Sequence, residues 1–271
     1  MAALNLLATW DVPNVSAAVL RDGSLTESYG DMRHPFRIAS VAKLLVSYAM
    51  LVAVEEGTIG LDEPAGPPGS TVRHVLAHAS GYGFESDAGV LAPPATRRIY
   101  SNRGIETAAA ALADAAGLPF DEYQREAVLE PLGMNATELR GSPAHGVWST
   151  VDDLVRFVGE LRRPRLLAPE TVDAMRVVQF PGLAGVLPGV GRYDPLDWGL
   201  GVERNFAKPG HWAGSRLSAD TYGHFGGAGT FLWIDPTNDL ACVCLTDREF
   251  GPWAIAEWPV LGDALVTDPV R

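Results

Sequence analysis

The chain has 271 residues, 47% of them hydrophobic and 20% charged, with a formal net charge of −12. Those proportions describe a globular protein with ample chain for a core, organised as one large domain or two small ones. The acidic balance argues against a nucleic-acid or anionic-membrane partner, and no apolar run suggests a membrane span. The N-terminal stretch lacks the basic region and apolar core of a signal peptide. Cys242 and Cys244 sit two apart on one face of a strand-like run, poor geometry for a disulfide, so both are expected as buried fillers in a reducing, cytoplasmic compartment.

In chain order, Val15–Arg21 and Leu25–Tyr29 have strand character and are joined by Asp22-Gly23, a hairpin signal. The run from Val41 to Val54 is apolar on nearly every face and closes at Glu55, Glu56 and Gly57, so it predicts a helix at the centre of a domain. Asp62–Gly69 is rich in proline and glycine and reads as a loop. Ser70 is expected to cap a short helix to about His78, ended by Ser80-Gly81-Tyr82-Gly83. Further helices are predicted over Gly104–Ala116, from Pro119 to about Leu129, over Asp152–Leu161 behind a capping signal at Thr150, and from Pro169 to about Val178. Phe180–Gly201 reads as an irregular excursion; strand character returns at Trp198–Arg204, Thr230–Ile234 and Leu240–Thr246, and Trp253–Val266 predicts a helix. Strands at both ends around a helical middle predict an α+β fold, one sheet built from both termini with a mainly helical region inserted. The expected division is a discontinuous sheet domain, residues 1–64 and 181–271, around a helical region at 65–180.

Lys43 stands in the first turn of the apolar central helix, where burial is costly and the helix dipole disfavours a cation. Either a partner compensates or the proton leaves. Ser40 lies three residues earlier on the same face, so a lysine of lowered pKa could take its proton, with backbone N–H groups of the helix start turned to the developing oxyanion. An N-cap serine and a lysine snorkelling to solvent would fit the same spacing. Tyr100, in Ile99-Tyr100-Ser101-Asn102, is a candidate proton shuttle, although an ordinary half-buried tyrosine before a helix fits too. Tyr222–Gly229 gathers glycines near a strand start and adds His224; close approach to a ligand and a plain glycine-rich turn are the two readings. His74 and His78 are spaced i,i+4, but no H-E-x-x-H and no third acidic ligand accompany them, so no metal and no cofactor are expected. No serine has glycine at both flanking second positions, and neither a Walker A pattern nor a strand-anchored G-x-G-x-x-G occurs.

Taken in order, Ser40-x-x-Lys43, Tyr100-x-Asn102 and His224-x-Gly226 resemble the three motifs of the serine β-lactamase and penicillin-binding-protein superfamily. The resemblance is nearest to the class C β-lactamase-like branch, with its esterases, D-aminopeptidases and DD-peptidases, and extends to Val75–Gly81, Glu130–Met134, Trp148–Leu154 and Gly229–Pro236. It implies an antiparallel sheet flanked by helices. It also implies Ser40 as acylated nucleophile, Lys43 as its basic partner and Tyr100 as general base and then acid. Asn102 would contact the substrate or hold Lys43, and His224 and Gly226 would position the substrate. The backbone N–H groups of Ser40 and Gly227 would form the oxyanion hole. The third motif reads His-Phe-Gly where many relatives have Lys-Thr-Gly, which removes a cation and a hydroxyl that could hold a substrate carboxylate. The short interval from Ser40 to Tyr100 implies a trimmed helical region. The expected activity is hydrolysis of a small ester or amide, with Trp198 and Trp212 in the 180–218 excursion as candidate pocket walls. D-amino-acid peptidase or acyltransferase activity, or a catalytically retired binding protein, are the alternatives; the complete set of motif residues argues against the last.

Overall fold

A computed structural model describes residues 3–85, 87–205 and 208–267. Its centre is a six-stranded antiparallel sheet of strands β1 (Val15–Arg21), β2 (Ser24–Tyr29), β3 (Glu203–Arg204), β4 (Tyr222–Gly226), β5 (Thr230–Asp235) and β6 (Leu240–Thr246), in the spatial order β2-β1-β6-β5-β4-β3. Strands from both ends of the chain therefore meet at β1 and β6, which pair over their whole lengths from Val15 opposite Thr246 to Arg21 opposite Leu240. The β1–β2 turn has Asp22 and Gly23 at φ 48° and 74°, the left-handed pair that a two-residue hairpin requires.

The sheet is covered on both faces, so its inner strands are continuous apolar runs in which alternate residues belong to different cores. Ala18, Leu20, Leu232, Ile234, Ala241, Val243 and Leu245 join the larger core, with helices α1 (Ala42–Glu55) and α3 (Val151–Arg162) and part of α2 (Asn102–Ala116). Ala17, Val19, Phe231, Trp233, Cys242 and Cys244 join a second core under α4 (Pro252–Thr267) and the N-terminal 3-10 turn Ala3–Thr9. Both cysteines are free and fully buried. Every residue of α1 from Ala42 to Ala53 is buried, Lys43 included. No helix among the described residues is long and apolar enough to cross a membrane.

Several local expectations are corrected. The strand expected over Trp198–Arg204 contracts to β3, because the chain reverses through Gly199 and Gly201, and Trp198 keeps only a single bridge to Glu203. Tyr222–Gly226 is a strand rather than a turn; at Gly223 a Cβ would lie 2.2 Å from Leu232 O, so glycine permits this pairing. The short helix starts at Val72, capped reciprocally by Thr71 and His74 rather than by Ser70. The excursion after Phe180 contains a hairpin, Gly185–Leu187 with Gly191–Tyr193, whose first strand runs parallel to Arg98–Ile99. Residues 206 and 207 of that excursion lie outside the described residues.

The seam between β4, β5 and the start of α1 sets the corner around Ser40. Thr230 Oγ1 donates to Ile38 O at 2.8 Å, and Ile38 N donates to Val147 O at 3.0 Å. Between that anchored residue and Ser40, Ala39 is held at φ 45°, a left-handed conformation unfavourable for alanine. A Cβ on Gly226 would stand 2.4 Å from Ile38 O and 2.5 Å from Thr230 Oγ1. Gly226→Ala is accordingly expected to destabilise the protein by about 1–3 kcal/mol, read by urea denaturation, because backbone must shift to admit one methyl group. Wild-type stability in this variant would contradict the close approach.

Candidate active site

Lys43 is placed by α1 and fully buried, and its amine meets three oxygens. Nζ is 2.7 Å from Asn102 Oδ1, 2.8 Å from Ala144 O and 2.9 Å from Ser40 Oγ. Two of these, an amide oxygen and a peptide carbonyl, can only accept, so they consume two N–H bonds. The third corner of the nitrogen faces Ser40. In the ammonium form it carries a proton donated to Oγ; in the neutral form it presents a lone pair to the Ser40 hydroxyl. Burial brings the Lys43 pKa from 10.5 down to about 7, opposed by the negative charges of Glu85 and Glu106. Both forms are therefore populated near neutral pH. Ser40 itself lies half-buried in the 3-10 turn Ala39–Val41, and neither that turn nor α1 is capped by its side chain.

The second element is the start of α2. Ser101 is the N-cap, its hydroxyl accepting from Gly104 N at 2.9 Å and donating to Gly83 O at 2.6 Å. That cap puts Asn102 at the first helical position and Tyr100 just outside the helix. Asn102 spans two charged groups: Oδ1 accepts from Lys43, while Nδ2 donates to Glu85 Oε1 at 3.1 Å. Ala144 is presented by a turn around Ser142, whose Oγ accepts from Ala144 N at 3.2 Å and donates to Glu106 Oε1 at 2.5 Å.

Tyr100 is buried and its hydroxyl stands 3.4 Å from His224 Nε2. His224 Nδ1 lies 2.6 Å from Phe225 O, an acceptor only, so Nδ1 carries the proton and Nε2 accepts from Tyr100. Burial, helped by the charge of Lys43, pushes His224 down to about 3, which keeps this ring neutral. Burial also raises the Tyr100 pKa, with the adjacent Ser40 hydroxyl pulling the other way, so the phenol stays protonated. The Lys43 amine is 5.0 Å from the centre of the Tyr100 ring. Ser40, Lys43, Tyr100, Asn102 and His224 are thus one connected group, drawn from three separate parts of the chain.

Ser40, Tyr100, His224 and Gly227 line a cavity of about 230 Å³ whose other walls include Phe84, Leu187, Phe225 and Phe250. Gly227 is at the cavity surface; Gly226 instead packs against Ile38. Trp198 and Trp212 are not its walls. Trp198 is buried behind Tyr100 and His224, edge-on to both rings, and Trp212 is buried with Nε1 donating to Glu203 Oε2 at 2.7 Å. His74 and His78 take separate bonds, His74 Nδ1 within the Thr71 cap and His78 Nδ1 accepting from Ser101 N, and no metal-binding group is found among the described residues. Sequence reasoning missed the carbonyl of Ala144, which has no side-chain signature, and the aromatic walls Phe84 and Phe250, which occupy loops.

Comparison with known proteins identifies the fold and the family. The family model Beta-lactamase matches residues 5–265. A crystal structure of a beta-lactamase from Mycobacterium bovis is 48% identical, with a TM-score of 0.96 over 98% of each chain. The simvastatin synthase LovD of Aspergillus terreus shares the fold, with a TM-score of 0.81 at 17% identity over 97% of this chain and 96% of that one. The D-alanyl-D-alanine-carboxypeptidase/endopeptidase AmpH of Escherichia coli K12 is 27% identical over 175 residues, which is 47% of this chain and 46% of that protein, so the match spans about half of this curated relative. The chain belongs to the beta-lactamase family.

Proposed function

We propose that the protein is a serine hydrolase that forms an acyl-enzyme on Ser40 and turns over small, uncharged esters or amides. The observation that carries this reading is the coordination of Lys43: two fixed acceptors leave one corner of a fully buried amine for the Ser40 hydroxyl. Neutral Lys43 takes the Ser40 proton as Oγ adds to the substrate carbonyl. The backbone N–H groups of Ser40 and Gly227 are the candidate donors to the resulting oxyanion. Collapse of the adduct breaks the bond to the leaving group, which receives the proton held on Lys43 by way of the Tyr100 hydroxyl. Water then attacks the acyl-Ser40 ester, gives up its proton to the same relay, and frees Ser40 and a carboxylic acid. Asn102 holds Lys43 in register; neutral His224 holds the Tyr100 hydroxyl as acceptor.

The cavity argues for the substrate class. Its described lining includes Phe84, Leu187, Pro188, Phe225 and Phe250 and contains no lysine or arginine. A substrate carboxylate would enter it without a cationic partner, which disfavours penicillins and carboxylate-ended peptides. The relatives carry names as different as a beta-lactamase, a carboxypeptidase/endopeptidase and a synthase, so the choice among substrates rests on this lining.

Intact-mass analysis after mixing with p-nitrophenyl butyrate, a penicillin or a fluorophosphonate tests the reading directly. Wild-type protein is expected to gain the butyryl or phosphonyl mass, with little or no penicillin adduct, and Ser40→Ala to gain none. Substantial turnover by the mutant would sink the assignment. The pH profile follows from Lys43, which is protonated below about 7 and neutral above it. The kcat/KM for the butyrate ester should therefore climb about tenfold per pH unit below that inflection and level off above it; a profile flat from acid to alkaline pH would remove Lys43 as base. Phe250→Ala should enlarge the apolar arm and raise the preference for octanoate over butyrate esters by about tenfold, measured as a ratio of kcat/KM values.

A further inference from the structure

His78 takes no part in the proposed proton relay, yet it touches Tyr100 from three directions. Its carbonyl accepts from Ile99 N at 2.9 Å, and its Nδ1 accepts from Ser101 N at 3.2 Å. These are the two residues that flank Tyr100 in the chain. Its ring packs on the Tyr100 ring, centroid to centroid 4.5 Å, and stands edge-on to Trp198 at 4.9 Å. Trp198 in turn lies edge-on to Tyr100 and to His224. The backbone at both sides of Tyr100 and one face of its ring are thus fixed by a single residue. We propose that His78 is the positioning residue for Tyr100, holding the phenol hydroxyl in line between Ser40 and His224. The proposal rests on the relay described above for its kinetic consequence, and on geometry alone for its structural one.

Two features of His78 are unfavourable in a residue that only fills space. Its backbone is left-handed, at φ 54°, a conformation that costs strain in any residue with a side chain. Since Nδ1 accepts from an N–H, the proton of the neutral ring is on Nε2, and that atom is buried without a hydrogen-bond partner among the described residues. An aliphatic side chain would fill the site without the unmet Nε2–H, but it would take the acceptor away from Ser101 N. The ring is kept neutral by burial, reinforced by the positive charges of Lys43 and Arg98, so Nδ1 is available as an acceptor near neutral pH. The left-handed backbone also serves the clamp, because it lets one residue offer its carbonyl and its side chain to the two peptides around Tyr100. Arg98 anchors the other end of this segment, Nη1 donating to Ala77 O at 2.6 Å.

The test compares His78→Leu, which removes the acceptor, with His78→Asn, which keeps an acceptor and tolerates a left-handed backbone. Both are made in the full chain, alone and with Tyr100→Phe, and hydrolysis of p-nitrophenyl butyrate is followed. His78→Leu should lower kcat by about 10–100-fold while KM stays within about threefold, the signature of a displaced catalytic group rather than of lost binding. His78→Asn should recover part of that loss. With Tyr100→Phe already present, His78→Leu should cost less than about twofold more, because there is no hydroxyl left to position. Equal losses in both backgrounds, or unchanged kcat in both variants, would overturn the proposal. If His78→Leu does not fold, His78→Asn carries the same double-mutant comparison. A crystal structure of the soluble variant decides the matter without any activity: Tyr100 displaced or split between rotamers supports the clamp, and Tyr100 unmoved beside His224 refutes it. A wild-type protein that turns over no ester would count against the functional reading, while the crystallographic arm would still judge His78.

Discussion

The arrangement depends on one buried amine. Desolvating a lysine inside an apolar helix is expensive, and the cost is met by three oxygens brought from distant parts of the chain, Ser40, Asn102 and Ala144. Those oxygens cannot arrive unless α2 begins at Ser101, the turn at Ser142 is formed, and the 3-10 turn at Ser40 leads into α1. The same burial that makes Lys43 costly lowers its pKa to about 7, so one desolvation sets both the cost of placing the amine and its protonation. Glu85, bonded to Asn102, and Glu106, bonded to Ser142, oppose the effect of burial and hold the pKa of the amine near 7.

The sheet explains why this corner stays rigid. Its inner strands are buried on both faces, so β4 and β5 have little freedom to shift, and Thr230 ties β5 to Ile38, two residues before Ser40. Ala39 is held in a left-handed conformation directly after Ile38, whose N–H and carbonyl are both anchored. Glycine at 226 allows the strand backbone to reach Ile38, and glycine at 227 lies at the cavity surface with open space beside it.

Much of this was legible in the chain itself. The central helix announced itself because a run apolar on all faces has one place to go, and Ser40 and Lys43 met because helical spacing puts such a pair on one side. β6 was legible because Leu240–Thr246 is flanked by turn residues and apolar throughout. Other features rest on contacts that spacing does not encode. Trp198 turns inward because Gly199 and Gly201 reverse the chain, and its apolar character suited a pocket wall as well as a core. Tyr222–Gly226 hides its strand behind glycines that exist to let β5 approach. Ala144 contributes a carbonyl, which every residue possesses, so only the fold could single it out.

The pairing of β1 with β6 has a consequence for how the protein comes into being. Residues 15–21 are synthesised more than two hundred residues before residues 240–246, their principal partner strand. Until that late strand arrives, the first hairpin has an open edge and the apolar face of α1 lacks part of its cover. An amine still bathed in water keeps the ordinary basicity of lysine, so the nascent chain holds Lys43 as a plain cation. Its low basicity is therefore a property of the completed fold, reached only when β6 pairs with β1 and the sheet closes over α1.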